Sequence, residues 1–217
     1  MNIDIGFVLL QYFCLLFSLC IHEAAHAAMA NYCGDPTARL MGRLTLNPVK
    51  HADPLGTVIL PLFMMLTSVP YLFGWAKPVP FNPRNLNNMR RDPMLIALAG
   101  PGSNLLAAFA CALILRILIS IFGLQPDVQI AEILMMIAIY LIMINLLLLL
   151  FNLIPVPPLD GHHVLEYFLP PGGQRVLAQI GPFGILIAIL VARPWLSFAM
   201  PKLQYALLWF VTWGQEV

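Results

Sequence analysis

Apolar residues run without a charge from Ile5 to Ile21, and small residues carry the pattern on to Ala30 before Asn31, Gly34 and Pro36 end it. A membrane-crossing helix needs about 20 mostly apolar residues, so 5–30 is predicted to be a first span. Two more runs of about that length follow at Met94–Leu115 and Ile133–Phe151. A fourth, 55–75, is apolar enough to cross but is interrupted by Pro61, Ser68, Pro70 and Gly74. Near the C-terminus Ile180–Ala192 is apolar but short, and Trp195–Trp213 contains Pro201 and Lys202; one or two further helices are expected there. Trp209 and Trp213 fit an interfacial aromatic belt.

Between these runs the pattern changes. Residues 38–48 partly alternate apolar with polar positions, which predicts a short half-buried strand ending at the Asn47-Pro48 turn. His51 and Asp53 follow in a polar loop, where such a pair more often makes hydrogen bonds or a turn than a metal site. Residues 77–93 are polar and proline-rich, and Gly172-Gly173-Gln174-Arg175 reads as a loop. Ala24, Ala25, Ala27, Ala28 and Ala30 thin the end of the first helix, allowing close approach by a neighbour. Gly100-Pro101-Gly102-Ser103-Asn104 lies near the start of its run, Arg116 is expected to face the bundle interior or snorkel, and Asn145 interrupts the cleanest span. After Asn152, the prolines at 155, 157 and 158 stop regular helix beside Asp160-Gly161.

The composition agrees with these runs. The 217-residue chain is 60% hydrophobic and 10% charged, where soluble domains carry roughly 25% charged residues. It reads as an all-α polytopic membrane protein forming one membrane-embedded domain over 1–217, with a core at about 5–165 and a helical extension at about 176–214. The net charge of +1 and the lack of a basic tract give no reason to expect nucleic acid as a partner. Cys14, Cys20, Cys33 and Cys111 form no CxxC pair and are expected to be free thiols. The N-terminus lacks the basic start and cleavage site of a signal peptide, so the first helix is expected to be retained.

The chemistry enters at His22-Glu23-Ala24-Ala25-His26. Histidines at i and i+4 share one helix face, the spacing at which both can ligate one Zn²⁺, and the glutamate between them is placed as a general base. Catalytic zinc usually takes three protein ligands. Asp4, Asp35, Asp53, Asp92, Asp127, Glu132, Glu166 and Glu216 lie mostly in links or tails, whereas Asp160 is fixed by prolines and Gly161 after a strongly apolar helix. A carboxylate at that depth is costly unless paired or bound to metal. An isolated Asp-Gly would ordinarily cap a helix; beside an H-E-x-x-H in the same apolar chain, metal ligation is favoured. His162 and His163 are expected to be interfacial.

Ligands of one metal must share one membrane depth. If 55–75 crosses, three crossings separate His26 from Asp160 and the two lie on opposite faces; if it dips and returns, two do and they meet. The re-entrant arrangement also puts Arg39, Arg43, Lys50, Lys77, Arg84, Arg90 and Arg91 on one side, against no Lys or Arg in 123–129. By the positive-inside rule that side is the cytosol. The expected fold is therefore a bundle of membrane-crossing helices with 55–75 as one re-entrant segment, followed by the C-terminal helices.

With His22-Glu-Ala-Ala-His26 and Asn152-Leu-Ile-Pro-Val-Pro-Pro-Leu-Asp160-Gly161 in hand, the chain resembles the site-2 protease family of intramembrane zinc metalloproteases. Asn47–Pro54, Gly74–Pro80 and Ala99–Asn104 support the resemblance, which spans about 15–165 and implies a three-helix catalytic core at 5–30, 94–122 and 130–153. It implies His22, His26 and Asp160 as Zn²⁺ ligands, Glu23 as general base, and Asn152 near the metal, stabilising the oxyanion. It implies hydrolysis of a peptide bond in or near a transmembrane helix of a single-pass protein, such as a membrane-tethered transcription regulator, often after a site-1 protease has cut. The location implied is a cell membrane, as in the bacterial inner membrane. Many members carry a PDZ domain, for which no stretch of this sequence has room. The strand expected at 39–46 could pair with an unwound substrate. The alternatives are a non-proteolytic membrane metal-binding or scaffold protein and a protease acting on prenylated or soluble termini.

Overall fold

The computed structural model describes residues 5–66 and 74–213, so residues 67–73 of the apolar stretch 55–75 lie outside the described residues. Its helices are α1 (Ile5–Tyr32), α2 (Thr37–Leu40), α3 (Pro48–His51), α4 (Leu60–Leu66, entered through a π-helical turn Pro54–Ile59), α5 (Asp92–Phe122), α6 (Gln129–Asn152), α7 (Gly161–Phe168), α8 (Pro171–Ile180) and α9 (Gly184–Thr212). Among the described residues, four helical stretches are long and apolar enough to cross a membrane: α1, α5, α6, and the run Pro171–Thr212 that contains α8 and α9. The architecture is that of an all-α polytopic membrane protein.

α1, α5 and α6 pack on one another, successive helices running antiparallel. Ala108, Ala112, Leu115 and Ile119 of α5 interlock with Met135, Ala138, Ile142 and Leu146 of α6. Leu15 and Leu19 of α1 meet Leu148 of α6. Ala27 and Ala30 are fully buried, so the small residues of α1 do admit a close neighbour, while Ala28 faces outward. α1 ends where Gly34 takes φ +102°, a conformation that side chains disfavour. Asp35 then ties this turn to the 82–85 loop, accepting from the backbone N–H of Asn82 at 2.6 Å and the amide of Asn85 at 2.8 Å.

The described ends of the interrupted stretch 55–75 lie side by side, as a re-entrant segment requires. Its two ends are hydrogen-bonded together: Trp75 N–H donates to Gly56 O at 3.3 Å, Thr57 Oγ1 to Trp75 O at 2.9 Å, and Lys77 N–H to His51 O at 2.8 Å. A chain that leaves and returns to the same hydrogen bonds makes no net crossing. Asp53 starts the excursion by accepting from the N–H groups of Leu55 and Gly56, and His51 Nε2 pairs with Thr45 O at 2.8 Å; both residues have the hydrogen-bonding roles expected of them.

The strand expected at 38–48 is not formed; no strand occurs among the described residues. Residues 37–40 make a helical turn, and the chain then bends through Gly42 at φ +67°. The alternation is occupied in the inverse sense. Arg43 is buried and donates to the carbonyls of Lys50, Lys77 and Pro78, while Leu40, Met41, Leu44 and Leu46 are exposed.

Toward the C-terminus, α9 is one continuous helix through Pro194 and Pro201, where interruption was expected. In a membrane helix, neighbours can satisfy the backbone groups that a proline frees. α9 docks through Trp195, whose indole donates to Leu150 O at 2.8 Å, and through Phe210, whose carbonyl accepts from Arg116. Arg116 thus faces the bundle. The stacked rings of Trp209 and Trp213 are exposed.

Candidate active site

The H-E-x-x-H helix face lies in the last third of α1, against the first half of α5. His22, Glu23 and His26 are all buried. α5 meets them with a face that repeats every four residues: Ile96, Gly100 and Asn104. Its Ile96 carbonyl accepts from His26 Nδ1 at 2.7 Å, and Asn104 Oδ1 lies 2.6 Å from His22 Nδ1. Between these two contacts Gly100 leaves space for the imidazoles: a Cβ there would lie 2.4 Å from His26 Nε2 and 2.6 Å from His22 Cε1.

The end of α6 brings the third group. Asn152 closes the helix, its amide donating to Leu148 O at 3.0 Å, one turn back. The proline-rich segment then reverses, with a cis Pro157-Pro158 peptide, and presents Asp160 at the head of α7. Gly161 is required for this turn: a Cβ would lie 2.4 Å from Leu153 O. The Asp160 carboxylate makes no capping hydrogen bond to α7. It turns to the histidines, with Oδ2 at 3.1 Å from His22 Nε2 and 3.4 Å from His26 Nε2.

Three donor atoms therefore converge, the two Nε2 atoms being 3.0 Å apart. The Ile96 carbonyl can only accept, so His26 carries its proton on Nδ1 and turns a lone pair inward. Oδ2 of Asp160 is buried and receives no well-formed hydrogen bond. Lone pairs crowded in this way call for a cation. Bonds of about 2.0–2.1 Å at tetrahedral angles place ligand atoms about 3.3 Å apart, close to the observed edges of 3.0, 3.1 and 3.4 Å. Two imidazoles and one carboxylate are a donor set that suits Zn²⁺.

Glu23, between the two histidines in sequence, accepts at Oε2 from the N–H of Val79 at 3.1 Å. Val79 is flanked by Pro78 and Pro80, so this N–H is the only backbone donor in its tripeptide. Sequence reasoning missed Val79, Ile96, Gly100 and Asn104 as members of the site. Asn104 did leave a signal, as a polar side chain inside an apolar run, four residues after a glycine. A second group, His162, His163 and Glu166 of α7, also brings ligand atoms together. There His162 Nδ1 bonds to Leu159 O at 2.6 Å and His163 lies 3.4 Å from Glu166.

A buried H-E-x-x-H face met by a carboxylate, inside a bundle of membrane-length helices, has the make-up of a membrane metallopeptidase. The model of "Peptidase family M50" matches residues 118–192, a span that includes Asp160 but neither His22 nor His26. The chain is 36% identical over 177 residues to "Putative zinc metalloprotease YwhC" of Bacillus subtilis, covering 82% of this chain and 77% of that one. It is 32% identical over 196 residues to "Putative zinc metalloprotease Rip2" of Mycolicibacterium smegmatis, covering 90% and 70%. The Rip2 protein of Mycobacterium tuberculosis is 31% identical over 176 residues, covering 81% and 63%. No solved structure gives a significant match. The chain belongs to peptidase family M50, the site-2 protease family.

Proposed function

We propose that this protein is an intramembrane zinc endopeptidase that hydrolyses a peptide bond in or near a transmembrane helix of a membrane-protein substrate. The observation that carries this reading is the convergence of His22 Nε2, His26 Nε2 and Asp160 Oδ2 within a membrane-length helical bundle. These three residues hold Zn²⁺. When bound, Zn²⁺ supplies Lewis acidity, polarising a carbonyl and bringing the pKa of a water toward ~7.

Glu23 removes a proton from the attacking water and delivers it to the leaving amine. Its Oε2 is held by Val79, which leaves Oε1 for the proton. Asn152 gives one amide hydrogen to Leu148 O; we assign its second to the developing oxyanion. Gly100 keeps the imidazoles packed on α5, and the irregular backbone before Asp160 gives water a path that regular lipid-facing helices do not.

The site opens on the side that carries Arg39, Arg43, Lys50, Lys77, Arg84, Arg90 and Arg91, which by charge is the cytosolic side of a cell membrane. The whole of 1–217 works as one membrane-embedded unit, with α9 as a buttress of the catalytic core. The substrate is a single-pass membrane protein, such as a membrane-tethered transcription regulator shortened beforehand by a site-1 protease. The test is to express Glu23→Gln and Asp160→Asn in membranes and measure zinc content together with release of a short membrane fragment. Glu23→Gln should keep zinc and stop cleavage, and Asp160→Asn should lose both. Undiminished cleavage by Glu23→Gln removes the proteolytic reading and leaves a metal-binding or scaffold role.

A further inference from the structure

Three polar side chains lie fully buried where α1, α5 and α6 meet, and the catalytic reading uses none of them: Ser18, Asn104 and Asn145 are at most 1% exposed. Polar groups in membrane helices are expensive and have to be paired. Here the pairing has a direction. Asn145 Nδ2 donates to the carbonyl of Leu141, one turn back on α6, at 2.8 Å, and to Ser18 Oγ at 2.9 Å. Asn145 Oδ1 accepts from Asn104 Nδ2 at 2.8 Å, and Asn104 Oδ1 faces His22 Nδ1 at 2.6 Å.

We infer that Asn145 and Asn104 are positioning residues that transmit the polarity of the Leu141 carbonyl to His22, placing its proton on Nδ1 and leaving the Nε2 lone pair for the metal. Each link forces the next. A backbone carbonyl only accepts, so the NH₂ end of the Asn145 amide must face Leu141 and its oxygen must face Asn104. That oxygen requires the NH₂ end of Asn104, whose own oxygen is thereby turned to His22. An oxygen at 2.6 Å from Nδ1 requires that Nδ1 carry hydrogen.

His26 is fixed more simply, by the carbonyl of Ile96. The two imidazoles thus reach the same tautomer by different routes, one through backbone and one through two amides from two helices. Such outer partners of metal-bound histidines commonly set metal affinity.

This inference rests on the reading of His22 as a zinc ligand, and the test separates the two. Full-length protein in lipid nanodiscs is compared with Asn104→Leu, Asn145→Leu, Asn104→Asp, Asn145→Asp and His22→Ala. Zinc affinity is read by chelator competition, helicity by circular dichroism, and the His22 tautomer by ¹⁵N NMR of the zinc-free protein. The Leu variants should lose about 10–100-fold in zinc affinity and populate the Nε2–H tautomer. Asn104→Asp, whose carboxyl oxygen still accepts from His22 Nδ1, should stay near wild type, and Asn145→Asp, which keeps at most one of the two hydrogen bonds Asn145 donates, should lose less than Asn145→Leu.

Zinc affinities of both Leu variants equal to wild type, with helicity retained, would overturn the inference. So would an Nε2–H His22 in the unsubstituted protein, a result that needs no variant to fold. Wild type binding zinc no better than His22→Ala removes the underlying zinc reading instead.

Discussion

Gly100 of α5 lies against His26 of α1 with no room for a methyl group: a Cβ would stand 2.4 Å from Nε2. Nε2 is also the atom that faces Asp160, so what enters at position 100 displaces the ligand end of the ring. Gly100→Ala should therefore weaken zinc binding by 10-fold or more, on the order of losing a ring's orientation, and reduce cleavage with it. Gly102, two residues on, has nothing within 4 Å of a built Cβ. Gly102→Ala should be neutral or stabilising by up to about 1 kcal/mol through helix propensity. Zinc titration and thermal unfolding of the two single variants make the comparison.

The C-terminal helix reaches the site from behind. A Cβ on Gly184, the first residue of α9, would lie 1.7 Å from the carbonyl oxygen of Pro157, three residues before Asp160. Gly184→Val should push the proline segment and lower zinc occupancy and turnover together, although residue 184 is far from His22 in the chain. Gly181, with open space around it, is the control: Gly181→Ala should leave both unchanged. Equal zinc content in the two variants would show that α9 does not support Asp160.

The three core helices were legible because sustained apolar density permits little else. The apolar runs 5–30, 94–115 and 133–151 lie within Ile5–Tyr32, Asp92–Phe122 and Gln129–Asn152. H-E-x-x-H and Asp160 were legible because charged or metal-binding groups are conspicuous in an apolar chain. The strand at 38–48 failed because short alternation does not say which set of residues faces in, and the buried Arg43 reversed it. α9 was underestimated because prolines break isolated helices more readily than they break packed membrane ones. Asn104 and Val79 act through atoms whose partners lie in other helices or loops, and no local pattern announces such partners.

Asp35 is the fastening between α1 and the 82–85 loop. Its carboxylate is fully covered yet close to the surface, and it accepts from Thr37 N–H and Oγ1, Asn82 N–H and Asn85 Nδ2. Burial alone would raise its pKa, but these hydrogen bonds outweigh it and the value is lowered. A carboxylate with a lowered folded pKa contributes stability above its unfolded pKa, about 3.9, and loses that contribution as pH falls through the folded value. Asp35→Ala should cost about 1–3 kcal/mol at neutral pH and flatten the acid limb of the stability curve below pH about 4. Unfolding midpoints of both proteins from pH 3 to 7 would show it.

Because Lys77 N–H bonds to His51 O, positions on either side of the re-entrant segment must share one face of the membrane. Single cysteines at Lys50 and Lys77 should react with a membrane-impermeant thiol reagent from the same side, and one at Gln125 from the other. With the site facing the cytosol, 50 and 77 should be protected in intact cells and labelled after lysis. Labelling of 50 and 77 from opposite sides would contradict the re-entrant arrangement. Labelling of both in intact cells would keep it and reverse the orientation.

The last relationship links that same segment to catalysis. Val79 N–H donates to Glu23 Oε2 at 3.1 Å, and its proline neighbours can offer no N–H to replace it. Val79→Pro removes the donor while adding little bulk, in a stretch outside any helix. The His22, His26 and Asp160 cluster does not involve this bond, so zinc content should be unchanged. Glu23 would lose a hydrogen bond to a charged group, worth about 1.5–3 kcal/mol. If that bond aims the carboxylate at water, kcat should fall by about 10-fold or more with KM little altered. Val79→Ala, which keeps the N–H, should retain activity. A Val79→Pro enzyme with wild-type kcat would mean that Glu23 finds its working position without Val79.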